Sequence, residues 1–199
     1  MTITPIAFDD LAEPLQDALR ARYERLGYLG GFFTHMAHQP EALVHFDAFT
    51  ESLKRSLGPE LAETVALTAA TRLDNTYERH QHERLAVALG LGAEWVAAIE
   101  RLDPETLDAP PVVVATQRFV LAACDALRGA PEIVPGTISG PQDLAAEALD
   151  ALVAASDDAT ASGVALLTGR FVAHAVVSAA CRLQPPVPSI FADEGVSQR

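Results

Sequence analysis

Cysteine is nearly absent: the 199 residues hold two, Cys124 and Cys181, far apart and in no CxxC pairing. That excludes a disulfide-built scaffold and leaves the expectation of a reduced, cytoplasmic protein with two inert core thiols. Aromatics are scarce at 6%, and only 21% of residues are charged. Positive charge is short too: 14 Lys and Arg face 27 Asp and Glu, for a formal net charge of −13. Such an excess of carboxylates argues against non-specific attachment to nucleic acid or to an anionic membrane, and neither is expected as a partner. An anionic ligand would need a local positive spot against that field. The first fifteen residues lack the basic start and apolar run of a secretory signal. No segment approaches the roughly 20 uncharged apolar residues of a membrane span. The longest candidate, 163–181, contains Arg170 and His174 and reads as a buried helix.

What is present is apolar and helical. Nearly half the chain (49%) is apolar, rich in Ala and Leu, which is enough to bury a core. The expectation is a single all-helical domain over 1–199, with a motif-bearing half at 1–102, a second helical half at 112–184 and a tail at 185–199. Leu11, Leu15, Leu19 and Tyr23 recur every four residues, predicting an amphipathic helix over 8–27 that stops at Gly27. Gly30 and Gly31 restart the chain into FFTHMA. Pro40 opens a helix over 41–57 with the apolar stripe Leu43, Phe46, Phe49 and Leu53. Gly58 and Pro59 separate it from a helix over 60–74. Asn75 or Thr76 caps the next helix, which runs to Gly90, and a short helix over 93–101 carries the only tryptophan, Trp95. A Pro-rich link over 103–111 leads to a helix at 112–128, a loop at 131–141, and helices at 142–155 and 157–183. Residues 112–114 are three valines that suit a strand, yet no second strand pattern exists to pair with them. The sum is a helical bundle.

Chemistry concentrates in residues 74–82, DNTYERHQH. Glu78 and His82 are four apart, so on a helix they share one face, and a carboxylate there can orient an imidazole as a general acid or base. Gln81 reaches the same patch. Glu63 lies on the preceding helix, twelve residues before Asn75, and a helix–turn–helix would fold it back toward Glu78 and His82. Two carboxylates converging in a partly buried site predict a raised pKa on one of them, and so a proton donor near neutrality. Spacing alone is weak evidence, because Arg79–Glu83 and His80–Arg84 share it and read as pairs on an exposed face.

The stretch over 60–91 resembles the carboxymuconolactone decarboxylase and AhpD-type alkylhydroperoxidase superfamily. Relatives of the AhpD type carry a glutamate, a CxxC twelve residues later, and a histidine four residues after the second cysteine. Glu63 matches the glutamate, Asn75 and Glu78 take the two cysteine positions, and His82 matches the histidine. Tyr77-Glu78 fits the decarboxylase branch, with Arg79 where that branch has tryptophan, and residues 37–41 resemble its AHxPE element. The resemblance implies an AhpD-like helical bundle, and catalysis by Glu63, Glu78 and His82 with Asn75, Tyr77, Arg79 and His80 around the substrate. It also implies a homo-oligomer, trimer or hexamer, with the site near a subunit boundary. Peroxidase chemistry of the AhpD type needs a thiolate and a resolving thiol, which Asn75 and Glu78 do not supply. What stays open is a cofactor-free lyase or isomerase acting on a small organic acid or lactone, with the redox reading disfavoured and a non-catalytic binding or scaffold module as the third alternative. In the first, His82 or a protonated Glu78 returns a proton to an enolate and Arg72 or Arg79 anchors a carboxylate.

The remaining histidines do not predict a metal centre. His80 and His82 diverge on a helix, His35 and His38 read as surface or capping groups, and His174 reads as a hydrogen-bonded core residue. Phe32, Phe33 and Trp95 read as core or subunit contacts.

Overall fold

The computed structural model describes residues 3–128 and 140–192. Among them there are eight helices and no strand. A 3-10 turn, Phe8–Asp10, precedes α1 (Glu13–Leu26), α2 (Gly31–Met36), α3 (Pro40–Arg72), α4 (Thr76–Ala88), α5 (Ala93–Glu100), α6 (Pro111–Arg128), α7 (Pro141–Ala155) and α8 (Asp158–Ala180). The three valines after Pro111 enter α6 instead of a strand, and Val113 is fully buried there. The loop expected over 131–141 falls almost wholly outside the described residues.

The two helices expected around Gly58 and Pro59 form one element, α3, broken where Gly58 takes φ 76° and ψ 168°. A positive φ suits glycine, and Pro59 then starts the second half without needing an N–H partner. That second half is the spine of the molecule. Ala62, Val65, Ala66 and Ala69 pack against Phe119, Val120 and Cys124 of α6, Leu152 of α7, and Val164, Leu167 and Phe171 of α8. Alanine on one helix lets its neighbours' larger side chains approach closely, which is how so few aromatics fill a core.

A second cluster joins Phe8, Leu11, Leu15 and Leu19 to Phe32, Phe33, Leu43 and Tyr77, and Tyr23 stacks on Phe8 with ring centroids 4.0 Å apart. Tyr77 passes so close to Gly30 that a Cβ there would lie 2.6 Å from its hydroxyl. The third cluster gathers Leu67, Ala86, Val96, Ile99 and Val113, with Ile190 and Phe191 packed against it. The described part of the expected tail thus packs on the bundle. Residues 184–192 form a strap across α4, where Arg84 Nε donates to the Pro188 carbonyl at 2.9 Å.

Two features of the turn between α3 and α4 position the site. Asp74 adopts φ 54°, a left-handed conformation that Asp tolerates better than most residues. Asn75 then starts α4, its N–H donating to the Ala70 carbonyl at 2.8 Å, while its side chain makes no capping bond. The tight reversal lays α4 back along α3. Helix α8 is long and apolar enough, by length and composition, to cross a membrane. It is packed instead against α3 and buries Arg170 and His174.

Candidate functional site

The reversal brings Glu63 of α3 against His82 of α4. His82 Nδ1 lies 2.6 Å from Glu63 Oε2, and both side chains are buried. A carboxylate at Nδ1 makes that nitrogen the donor and leaves Nε2 to face the other way. Nε2 is 3.7 Å from Glu78 Oε2. Glu63, not Glu78, is thus the group that orients the imidazole, and it sits behind the ring. His82 also meets the Phe171 ring edge-on, at 5.2 Å between centroids.

Glu78 has other partners. Arg170 Nη1 of α8 donates to Glu78 Oε2 at 2.9 Å, and His174 Nδ1 lies 3.3 Å from Glu78 Oε1. The Arg170 guanidinium rests over the Phe171 ring at 4.4 Å, and its Nε reaches Thr50 Oγ1 at 3.4 Å. Burial by itself would raise the Glu78 pKa, but His174, Arg170 and His82 outweigh it and hold the carboxyl down at about 2. The expected raised carboxyl is therefore not Glu78, which stays ionised and donates no proton near neutrality. Burial drives His174 the opposite way, well below 6.5, against the pull of Glu78, so this imidazole is neutral. It stacks on Phe32 with centroids 3.6 Å apart.

These groups open on a cavity of about 380 Å³ between α1, α3, α4 and α8, with Val187 of the strap at its rim. Five of the chain's 14 cationic side chains line it: Arg22, Arg25, Lys54, Arg84 and Arg170. Only two carboxylates, Glu51 and Glu78, share the wall. An acidic protein thus has a cavity wall where cations outnumber carboxylates, a local positive spot of the kind an anionic ligand needs. Tyr28 and Tyr77 add apolar faces with hydroxyl tips. The Tyr77 oxygen accepts from Phe32 N–H at 3.2 Å, and burial pushes its pKa up to about 12, so it stays protonated.

Not every residue of the 74–82 stretch reaches this cavity. Tyr77, Glu78 and His82 line it, with Glu63 just behind. Asn75 instead borders a separate, smaller pocket beside Ser178 and Arg182. Arg79 turns to the far side of α4, where its Nε lies 3.5 Å from a fully buried Glu83. His80 faces the strap, its Nδ1 3.3 Å from the Val187 carbonyl. Arg72 pairs with Asp125, away from the cavity. The Arg79–Glu83 pair is not the solvated surface pair its spacing suggested, because Glu83 also accepts from Ser189 Oγ at 2.6 Å and Ile190 N–H at 2.8 Å.

The reading of sequence missed Arg170, His174, Lys54 and Tyr28 as cavity residues. A signal for the first pair was present: an arginine and a histidine four apart inside an apolar helix need a buried partner, and Glu78 is that partner. Cys124 lies in the apolar core with its pKa pushed up to about 11, first by burial and then by Asp125, and neither it nor Cys181 lines the cavity. Among the described residues no group of three or more His, Cys, Asp or Glu side chains is arranged to hold a metal ion.

No protein-family model matches this sequence, and no curated protein matches it by sequence. Among solved structures the chain is similar to the debrominase Bmp8, crystallised as a cysteine-to-alanine variant in complex with 2,3,4-tribromopyrrole. The match covers 92% of this chain and 91% of that chain, with a TM-score of 0.72 at 18% identity. At that identity the likeness speaks for the fold, which is the all-α, AhpD-like helical bundle.

Proposed function

We propose that this protein is a cofactor-free lyase or isomerase of the carboxymuconolactone decarboxylase-like kind, moving a proton on a small organic acid or lactone. One observation carries the reading: His82 is held from behind by Glu63 at 2.6 Å and faces a cation-lined cavity. His82 Nε2 takes a proton from an acidic C–H, or its imidazolium returns one to an enolate left by loss of carbon dioxide. Glu78 stabilises that imidazolium from 3.7 Å, while Arg170, fixed by Glu78, and Arg22 supply the positive field for a carboxylate or enolate oxygen. Tyr77 shapes the wall; Asn75, Arg79 and His80 have no part in substrate binding in this scheme.

The test is proton exchange in deuterium oxide, followed by proton NMR, with a panel of β-oxo acids and carboxylated γ-lactones. Wild-type protein should exchange or decarboxylate at least one, and His82→Gln should lower that rate by about 10²–10⁴-fold. An unchanged rate in His82→Gln would sink the proposal. The thiol peroxidase alternative has no support from the cysteines. Both thiols are free, which fits a reducing, cytoplasmic compartment.

We also propose a homo-oligomer, trimer or hexamer. Ser162, Leu166, Gly169, Ala173, Val176 and Ala180 are exposed on α8 at alternating four- and three-residue steps, an uncharged seam of the kind that packs against another helix. Leu166 and Val176 are 52% and 63% exposed. Light scattering at micromolar concentration should give an oligomer that Leu166→Glu/Val176→Glu dissociates; a monomeric wild type would end this part.

A further inference from the structure

The chain's cations are thirteen arginines and a single lysine, Lys54. Arginine and lysine are not interchangeable: guanidinium stays charged, whereas an amine loses its proton readily when buried and then becomes a nucleophile. The one lysine is on α3, four residues before the Gly58 break, and its side chain lines the cavity with His82 and Arg170. Of the cavity's other cations, Arg22, Arg84 and Arg170 have partners, and Arg25 has none among the described residues. Arg22 donates to Asp47 at 2.8 Å and to Glu51 at 3.1 Å, and Arg170 to Glu78 at 2.9 Å. Lys54 makes no hydrogen bond and no ion pair with the described residues, although Glu51 shares the cavity wall with it. Burial pushes its pKa down; the charges of Glu63 and Glu51 oppose this, and those of Arg170 and Arg22 add to it. A half-buried, unpartnered amine that opens onto a ligand-sized space is ill-suited to holding the fold together.

Taking the cavity as the reaction site proposed above, we propose that Lys54 is a nucleophile that condenses with the carbonyl of a small oxo acid to form an imine. The acid's carboxylate faces Arg22 and Arg170. The Nζ lone pair bonds to the carbonyl carbon as the C=O π pair moves to oxygen, and the oxygen takes the proton shed by nitrogen. A second proton, taken from solvent, lets that oxygen leave as water. Amine and carbonyl thus become protonated imine and water, with no oxidant or reductant. Where a carboxylate lies β to the original carbonyl, its C–C bond pair flows into the protonated imine as carbon dioxide departs. His82 protonates the resulting enamine on carbon, and water releases the product and the amine.

Having only one lysine makes the test clean. Intact protein is treated with sodium borohydride in the presence of pyruvate or acetoacetate, then weighed and digested. The expected result is one adduct on the peptide containing Lys54, absent in Lys54→Arg: heavier by pyruvic acid less one oxygen atom, or, for acetoacetate, by that acid less one oxygen atom and the carbon dioxide lost from the imine. Labelling of Lys54 should be at least tenfold faster than that of the N-terminal amine. No adduct with either probe, or an adduct at the N-terminus alone, overturns the proposal. So does acetoacetate turnover that Lys54→Arg leaves unchanged, and that outcome spares the acid–base reading. Trapping that proceeds in His82→Gln while turnover is lost upholds both; trapping with turnover untouched in His82→Gln keeps the lysine and discards the acid–base scheme.

Discussion

Helix α4 buries one glutamate on each of two faces, and the two live in opposite surroundings. Glu78, on the cavity face, meets Arg170 and His174 from α8 and is held ionised at about 2. Glu83, one turn on and rotated away, meets the strap through Ser189 and the Ile190 N–H, and faces Glu100 of α5. Burial, and then the Glu83 charge beside it, push the Glu100 carboxyl up to about 7, so Glu100 keeps its proton up to neutrality. One face keeps a fixed negative charge balanced by cations and leaves an imidazole nitrogen bare. The other meets Glu83 with a hydroxyl and a backbone N–H of the strap, keeps a proton on Glu100, and closes. An open, charged face suits chemistry; a closed face holds the strap in place.

The sharpest way to break this contrast is Arg170→Met. It leaves Glu78 buried with its main cation gone, which should cost about 3–5 kcal/mol of unfolding free energy in urea titration. Adding Glu78→Gln to Arg170→Met should recover much of that loss. If Arg170→Met is neutral, the charge balance assigned to the cavity face is wrong. This network also means that Glu78→Gln alone tests structure as much as chemistry, which is why His82 is the better catalytic probe.

A smaller effect separates the faces by the sign of their pH dependence. His174 has its folded pKa lowered, so its stabilising contribution is present above about 6.5 and is lost as pH falls. Glu100 has its folded pKa raised from 4.5 to about 7, so its contribution is present below 4.5 and is lost as pH rises through 7. Between pH 4.5 and 6.5 the two contributions oppose each other, so each is read in the variant that removes the other. Over that range the urea midpoint of His174→Phe should fall as pH rises, and that of Glu100→Gln should rise. A midpoint that does not fall in His174→Phe would contradict the proton assigned to Glu100.

Much of the fold was legible because glycine and proline punctuate it. Gly27, Gly58-Pro59, Pro111 and Pro141 mark real boundaries or breaks, and the convergence of Glu63 with His82 followed from a turn at 73–75. What was not legible is non-local. Glu78–His82 and Arg79–Glu83 have identical spacing, and only packing tells them apart: α8 covers one face, and a strap from more than 100 residues away covers the other. A raised carboxyl was expected from two converging glutamates; it occurs instead at Glu100, while at Glu78 His174, Arg170 and His82 outweigh burial. Asn75, Arg79 and His80 were grouped with the site by adjacency in sequence, which a helix converts into divergence.

The central claim is that Glu63 orients His82 so that Nε2 faces the cavity, and imidazole ¹⁵N spectra test it most directly. With Glu63→Gln and His82→Gln to assign the signals, His82 should show a protonated Nδ1 at neutral pH and above, and an Nε2 whose shift responds to added organic acid. A protonated Nε2 beside a bare Nδ1 would contradict it.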